Sequence, residues 1–298
     1  MTARGLNKER VDDMPKAAIL ILSILVIIIL LIFTASFIAY IRFNQNVTKE
    51  VREFFNNTAA DKNEIIRKED LAGLPRSVQK WLEKSGVIGK ERIRTVRLKQ
   101  KGLMRTKEDG PWMSAEAEQY FTVDEPGFIW KAKVKMAPLL YFTGRDRYSE
   151  GKGTMNIKLL SLIPVVNSKG KEIDQGTLLR YLAEMQWFPT AALSNYIKWE
   201  EIDAHSARAT MSYKGVTASG IFTFSEQGKL IKFVAKRYRE TNGKYELTDW
   251  GGTTKEYRDF DGIRIPNKGD VIWKLKTGDF DWYQWEITEV EYNKPIVY

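Results

Sequence analysis

The chain contains no cysteine. That excludes disulfides, thiolate nucleophiles, cysteine-ligated zinc and the lipidated cysteine that tethers bacterial lipoproteins, so any anchor is made of the polypeptide itself. Histidine is nearly absent as well: His205 stands alone in the polar stretch 203–206. One histidine cannot build a multi-histidine metal centre or most histidine-based catalytic sets, and in a turn it reads as an ordinary surface residue. No G-x-S-x-G elbow occurs, and Ser194 has no base near it in sequence. Gly151, Lys152, Gly153 and Thr154 have the residue types of a phosphate loop, but the glycine after the lysine and the missing upstream spacing exclude nucleotide binding. No metal and no cofactor is expected, and no residue stands out as catalytic. Internal repeats and low-complexity linkers are also missing.

Long apolar runs are scarce, with a single exception. Residues 17–41 carry no charge, and their only hydroxyl groups are Ser23, Thr34, Ser36 and Tyr40. At about 1.5 Å per residue this run exceeds a hydrocarbon core of roughly 30 Å, so it predicts a transmembrane helix. A cleaved signal peptide is the rival reading, because Thr34, Ala35 and Ser36 are small; an apolar signal core is normally only about 7 to 15 residues, which favours retention. Arg4, Lys8, Arg10 and Lys16 precede the run, whereas Arg42, Lys49 and Arg52 follow it more sparsely, so the N-terminus is expected in the cytoplasm and the remainder outside it. The expected organisation is a cytoplasmic tail at 1–16, a transmembrane helix at 17–41, a membrane-proximal helical segment at 42–90 and an antiparallel β ectodomain at 91–298.

Beyond the span, Val47, Val51, Phe54 and Phe55 recur at helical spacing and predict a short amphipathic helix packed on the domain. Residues 61–73 look like a connector. Pro75 opens a helix with Val78, Trp81 and Leu82 on one side, and Gly86 stops it. From Arg92 the period becomes two. In 128–136, Phe128, Trp130, Ala132, Val134 and Met136 point one way and Lys131, Lys133 and Lys135 the other, the lysines reading as a wet strand face. Further strands are expected at 94–104, 116–123, 154–162, 197–203, 207–213, 216–224, 230–238, 256–260, 271–275 and 280–292, with turns at Lys214-Gly215, Gly228 and Asp261-Gly262. One helix interrupts them near 174–186, with Asp174 as its N-cap and Leu178, Leu179, Leu182 and Met185 as its stripe before Pro189. The fold class is therefore mainly β (α+β): a transmembrane helix, then a curved antiparallel sheet or half-barrel with a few covering helices.

The net charge is +9, and residues 1–41 hold four basic and three acidic side chains, so +8 falls on the outer part. Anionic phospholipid headgroups or wall polymers suit that charge, whereas nucleic acid is on the wrong side of the membrane. Seven of the nine tryptophans, at 112, 130, 199, 250, 273, 282 and 285, fall in or near strands. Core packing is their ordinary role, but one sheet has too little interior for all of them, and the surplus predicts an apolar groove suited to acyl chains. Carboxylates offer another chemistry: Glu116 and Glu118 share a strand face, and Glu184 follows Arg180 by one helical turn, although surface ion pairs explain both. Gly144, Arg145 and Asp146 sit in a turn-like stretch and read either as a polar clamp or as solvated turn residues.

Segments 220–224 (GIFTF), 228–230, 237–239 and 257–266 (YRDFDGIRIP), with a last strand ending near Asn293, resemble the half-barrels of the periplasmic lipoprotein-carrier superfamily of LolA and LolB type. That resemblance covers about the last 80 residues and implies acyl chains held between sheet and helices. Leu74-Pro75 through Trp81-Leu82, then 85–89 (SGVIG), 117–121 (AEQYF), 144–146, 173–184 (IDQGTLLRYLAE) and 187–189 resemble an uncharacterised bacterial family of single-pass membrane-anchored proteins, which implies no activity. Together these readings predict a membrane-anchored module binding a lipid, lipoprotein or other hydrophobic or anionic envelope ligand. Trp130, Val134, Met136 and Trp199 are its candidate wall, and Arg145, Asp146 and Arg180 its polar mouth. The alternatives are an envelope hydrolase or transferase using Asp174, Glu184 or the pair Glu116 and Glu118, and a structural or signalling ectodomain that binds another protein.

Overall fold

The computed structural model describes residues 16–56 and 64–298. The tail expected at 1–16, apart from Lys16, and the first residues of the expected connector, 61–63, lie outside the described residues.

α1 (Lys16–Asn56) is one continuous helix, not a span followed by a separate amphipathic helix. The sequence explains this, because neither proline nor glycine interrupts the 41 residues, and the helix reaches about 60 Å. Its first half is apolar and exposed all round, and it is the one helix among the described residues long and apolar enough to cross a membrane. Its last turns bury Val47, Val51, Phe54 and Phe55 against Tyr120 and Ile129. α2 (Arg76–Ser85) follows Pro75 and stops at Gly86, whose φ of 75° is left-handed. The strands are β1 (Thr95–Met104), β2 (Met113–Thr122), β3 (Gly127–Ala137), β4 (Leu140–Ser149), β5 (Lys152–Leu159) and β6 (Ile163–Lys169), then, after α3 (Lys171–Glu184), β7 (Ile197–Asp203), β8 (Ser206–Tyr213), β9 (Val216–Phe224), β10 (Leu230–Thr241), β11 (Lys244–Phe260), β12 (Ile263–Leu275) and β13 (Gly278–Tyr292).

All of them form one antiparallel sheet in the order β6-β5-β4-β3-β2-β1-β13-β12-β11-β10-β9-β8-β7. Two meanders are thus fused along β1 and β13, where Val96 pairs with Tyr292. Hairpin chemistry sets the register of several neighbours: Lys214-Gly215 and Asp261-Gly262 both have positive φ at both central positions, as a type I′ turn requires.

The sheet curls, because α3 packs at once on β5 and on β9 and β10, strands from opposite flanks of the sheet order. Close approach on the β5 side depends on Gly153, where a Cβ would collide with Thr177 and the Ile173 carbonyl. Leu178, Leu179, Tyr181 and Leu182 of α3 are fully buried, and Phe188 stacks 4.6 Å from Phe121 beneath them. α2 closes one end, with Trp81 lying against Phe222 and Phe224. Trp81→Ala is expected to cost about 3–5 kcal/mol, seen as a lower urea midpoint, because a fully buried indole packed on two phenylalanine rings leaves a cavity when it is removed.

Several local expectations change. Gly144, Arg145 and Asp146 lie in mid-strand in β4, paired with Ala132, Lys131 and Trp130; a Cβ at the glycine would make ordinary contact with the Trp130 ring at 3.4 Å. β6 was not foreseen because Pro164 interrupts its pattern, which an edge strand tolerates. β11 begins at Lys244 instead of 256, its Gly251 and Gly252 serving close passage by the Phe233 and Asp270 carbonyls. Gly170, not Asp174, is the N-cap of α3; the buried Asp174 carboxylate accepts from Gly153 N–H at 2.7 Å and Lys152 Nζ at 3.2 Å. The lysine row is not a wet face. Lys131 pairs with Glu118 at 2.7 Å, and Lys133 lies over the Tyr40 and Tyr141 rings beside α1.

Candidate functional site

α3 presents Arg180, Ala183 and Glu184, and Trp187 just beyond it, at the i, i+3, i+4 and i+7 spacing of one helical face. That face does not meet the sheet everywhere. Between it and the concave surface lies a cavity of about 310 Å³, walled by Trp130 and Val134 of β3, Phe142 of β4, Ile157 of β5 and, opposite, Phe233, Trp250 and Trp285. Gly144, Gly251 and Gly252 contribute wall without side chains, which is part of why the space is empty. The lining is predominantly apolar, and it runs from buried Glu184 and Trp187 to exposed Thr106 and Val165.

The inner end is polar and tightly organised. Arg180 donates from Nη1 to Asp146 Oδ2 and from Nε to Glu184 Oε1, both at 2.7 Å. Gln119 donates to the other Glu184 oxygen at 2.7 Å and accepts from Gln100 at 2.8 Å, while Gln100 Oε1 accepts from Trp130 Nε1 and Tyr283 Oη. The Arg180 guanidinium lies 4.9 Å from the Phe128 ring centroid and 5.0 Å from that of Trp130. Burial raises the carboxyls of Asp146 and Glu184 above their ordinary values, although Arg180 opposes it in both. For Arg180 burial works downward, but Glu184 and Asp146 outweigh it and hold the guanidinium charged. Arg180 is thus the hydrogen-bonded cation of both carboxylates, and the charge of Arg237 adds a longer-range attraction to each.

Arg237 differs. It comes from β10, lies over Trp250 at 4.7 Å and faces Gly176 of α3, and among the described residues its guanidinium has no hydrogen bond and no ion pair. Burial, and then the like charge of Arg180, push it down to about 10, so it is still a cation at neutral pH. The indole N–H groups of Trp187, Trp250 and Trp282 are buried without acceptors, and all three residues line the same cavity. One cation without a hydrogen-bonded partner among the described residues therefore borders an apolar space, an arrangement that fits an acidic group attached to an apolar body.

Of the residues expected from sequence, Trp130, Val134, Asp146 and Arg180 line the cavity. Met136 shares their face but lies beyond the cavity towards the end of β3, largely exposed. Trp199 packs 5.2 Å from Phe222 and donates to the Ala192 carbonyl, in the core. Arg145 points to the opposite face from Asp146, as period two demands, and meets Glu50 of α1 at 2.9 Å. Glu116 and Glu118 are paired with Lys135 and Lys131 on that outer face, away from Glu184, and Asp174 binds the start of β5. Among the described residues, no three histidine, aspartate or glutamate side chains converge as a metal site. Arg237 escaped notice although the sign was readable: Phe233, Ala235 and Arg237 alternate, so the arginine had to face inward with the phenylalanine.

Comparison with known proteins gives a family. The family described as "Family of unknown function (DUF6544)" matches residues 64–285. No curated protein matches the sequence. Among solved structures, the chain is similar to a LolA superfamily protein from Nitrosomonas europaea, at 10% identity and a TM-score of 0.40 over 73% of this chain and 94% of that one. It is also similar to a DUF1329 family protein from Desulfovibrio piger, at 7% identity and a TM-score of 0.41 over 74% of this chain and 93% of that one.

Proposed function

The chain belongs to DUF6544, a family of unknown function, and we propose that this member is a membrane-anchored module that binds an amphiphile, an acyl-chain-like body with an acidic head. The observation that carries the reading is the apolar cavity with the unpaired Arg237 inside it. Its volume of about 310 Å³ lies at the lower end of ligand sites. Trp130 and Val134 form the wall; Arg180 is hydrogen-bonded to Asp146 and Glu184 and lies over Trp130, while Arg237 offsets the second carboxylate only at longer range and keeps its hydrogen-bond donors unused among the described residues. α1 anchors the module with its β domain on the extracytoplasmic side, where the excess of basic side chains meets anionic envelope components.

Gly144→Leu is the direct test. The new side chain enters the cavity beside Trp130 without a backbone clash, since an added Cβ makes only ordinary contact there. In amphipol-held full-length protein, titration with the fluorescent fatty acid cis-parinaric acid is expected to saturate one site in the wild type, and the variant is expected to bind at least about tenfold more weakly, the equivalent of losing about two buried methylenes of ligand. Native mass spectrometry of the wild type should find a co-purifying acyl species. A folded Gly144→Leu protein that binds the probe as the wild type does would remove the cavity from consideration.

A further inference from the structure

We propose that the cavity opens onto the bilayer itself, with the β3–β4 and β5–β6 hairpin tips seated in the outer headgroup boundary, so that the ligand exchanges with the leaflet and not through water. This rests on the reading of α1 as a membrane anchor and of the cavity as an amphiphile site.

The geometry comes from α1. It runs antiparallel to β3, with Phe54 against Gly127 at one end and Tyr40 beneath Lys133 further along. The helix then reaches the tips: Ser36 Oγ is 2.9 Å from Tyr141 Oη, just after the β3–β4 turn, and donates to the Leu160 carbonyl, in the β5–β6 turn, at 2.9 Å. Ser36 belongs to the uncharged run 17–41. That run is about 37 Å long against a hydrocarbon core of roughly 30 Å, so a residue about 8 Å before its end falls at the edge of the hydrocarbon. The two tips are tied to the helix at that level.

Their composition matches the place. Leu139 is 65% exposed, Ile163 57% and Val165 54%, with Leu140 and Leu162 beside them. Among the described residues no other helix or strand covers this patch, and the Ser36 contacts set it beside the exposed apolar half of α1. Segments 127–144 and 155–171 contain no acidic residue, and although Lys131 and Lys135 pair with Glu118 and Glu116 of β2, Lys133, Lys158 and Lys169 keep both hairpins basic, the sign an anionic leaflet attracts. The same tips border the mouth: Phe142 and Val165, close behind them, line the cavity, and its floor at Glu184 and Trp187 is at the other end. An amphiphile leaving the leaflet thus meets apolar wall from its first contact.

The natural lack of cysteine makes the test clean. Leu139→Cys, Ile163→Cys, Ile27→Cys and Glu125→Cys are each labelled with nitrobenzoxadiazole in full-length protein reconstituted in phosphatidylethanolamine–phosphatidylglycerol vesicles. Quenching by lipids carrying a nitroxide near the headgroup or deep in the chain then reports depth. Positions 139 and 163 are expected to lose most of their emission to the shallow quencher, position 27 to the deep one, and position 125, in the β2–β3 turn about 30 Å away along β3, to neither. Quenching at 27 but at neither tip overturns the proposal and leaves the anchor standing. Loss of quenching at 27 as well overturns the anchor reading with it.

Discussion

Arg180→Met is expected to lower folding stability by about 3–5 kcal/mol near neutral pH, the largest effect of any single substitution in the inner end of the cavity. Methionine keeps the apolar stem over Phe128 and Trp130 but removes the charge that Asp146 and Glu184 share at 2.7 Å. Asp146 and Glu184 would then lose their hydrogen-bonded cation, with only the charge of Arg237 left to offset two carboxylates. The deficit carries a pH signature. In the folded wild type both carboxyls already bind protons more readily than in the unfolded chain, because burial raises them. A raised carboxyl contributes stability that is complete below its unfolded value of about 4 and is lost as pH rises through its folded value. Removing Arg180 raises both folded values further, which widens that window. Urea unfolding in detergent micelles, followed by tryptophan emission at about pH 5 and about pH 7.5, should therefore show a deficit that shrinks at the lower pH as the carboxyls take up protons. An equal deficit at both pH values would mean that packing over the rings, and not charge, is what Arg180 supplies.

How the inner end is assembled explains how much of it could be read in advance. Strand β3 was legible because one face of 128–136 is uniformly apolar and the other carries lysine, and α3 because Leu178, Leu179, Leu182 and Met185 keep helical spacing. Those two elements supply Trp130, Val134 and Arg180. Asp146 reads as a charge near glycine and belongs to a turn on that reading, because Gly144 is a turn residue by composition, whereas here the glycine is a mid-strand residue that leaves the cavity wall bare. The opposite wall is legible only as a surplus of tryptophans that includes 250, 282 and 285, with no neighbours assigned to them. Trp250, Tyr283 and Arg237 meet β3 only because β1 pairs with β13 across almost the whole ectodomain and because α3 draws the flanks of the sheet together. Neither event leaves a local trace in composition or period. α1 shows the converse: its two halves, one for lipid and one for the sheet, have different patterns, and only the lack of a helix breaker reveals that they are one rod.

Arg237→Met separates binding from stability, and its effects run in opposite directions. Desolvation and the like charge of Arg180 outweigh the attraction of Asp146 and Glu184 and hold Arg237 below its ordinary proton affinity, so its removal is expected to leave folding stability equal or higher. Binding should suffer instead. A carboxylate head held by a guanidinium gains about 1.5–3 kcal/mol from charge-assisted hydrogen bonds, which corresponds to a loss of roughly 10- to 100-fold when the charge is deleted. The ligand itself supplies the control, since the methyl ester of the same fatty acid keeps the chain and lacks the charge. The variant is expected to bind acid and ester alike, where the wild type prefers the acid. Arg237→Lys should recover only part of that preference, because an ammonium retains the charge but not the flat face stacked on Trp250. Equal weakening of acid and ester would assign Arg237 to packing against Gly176 and would return the acidic head to the open mouth of the cavity.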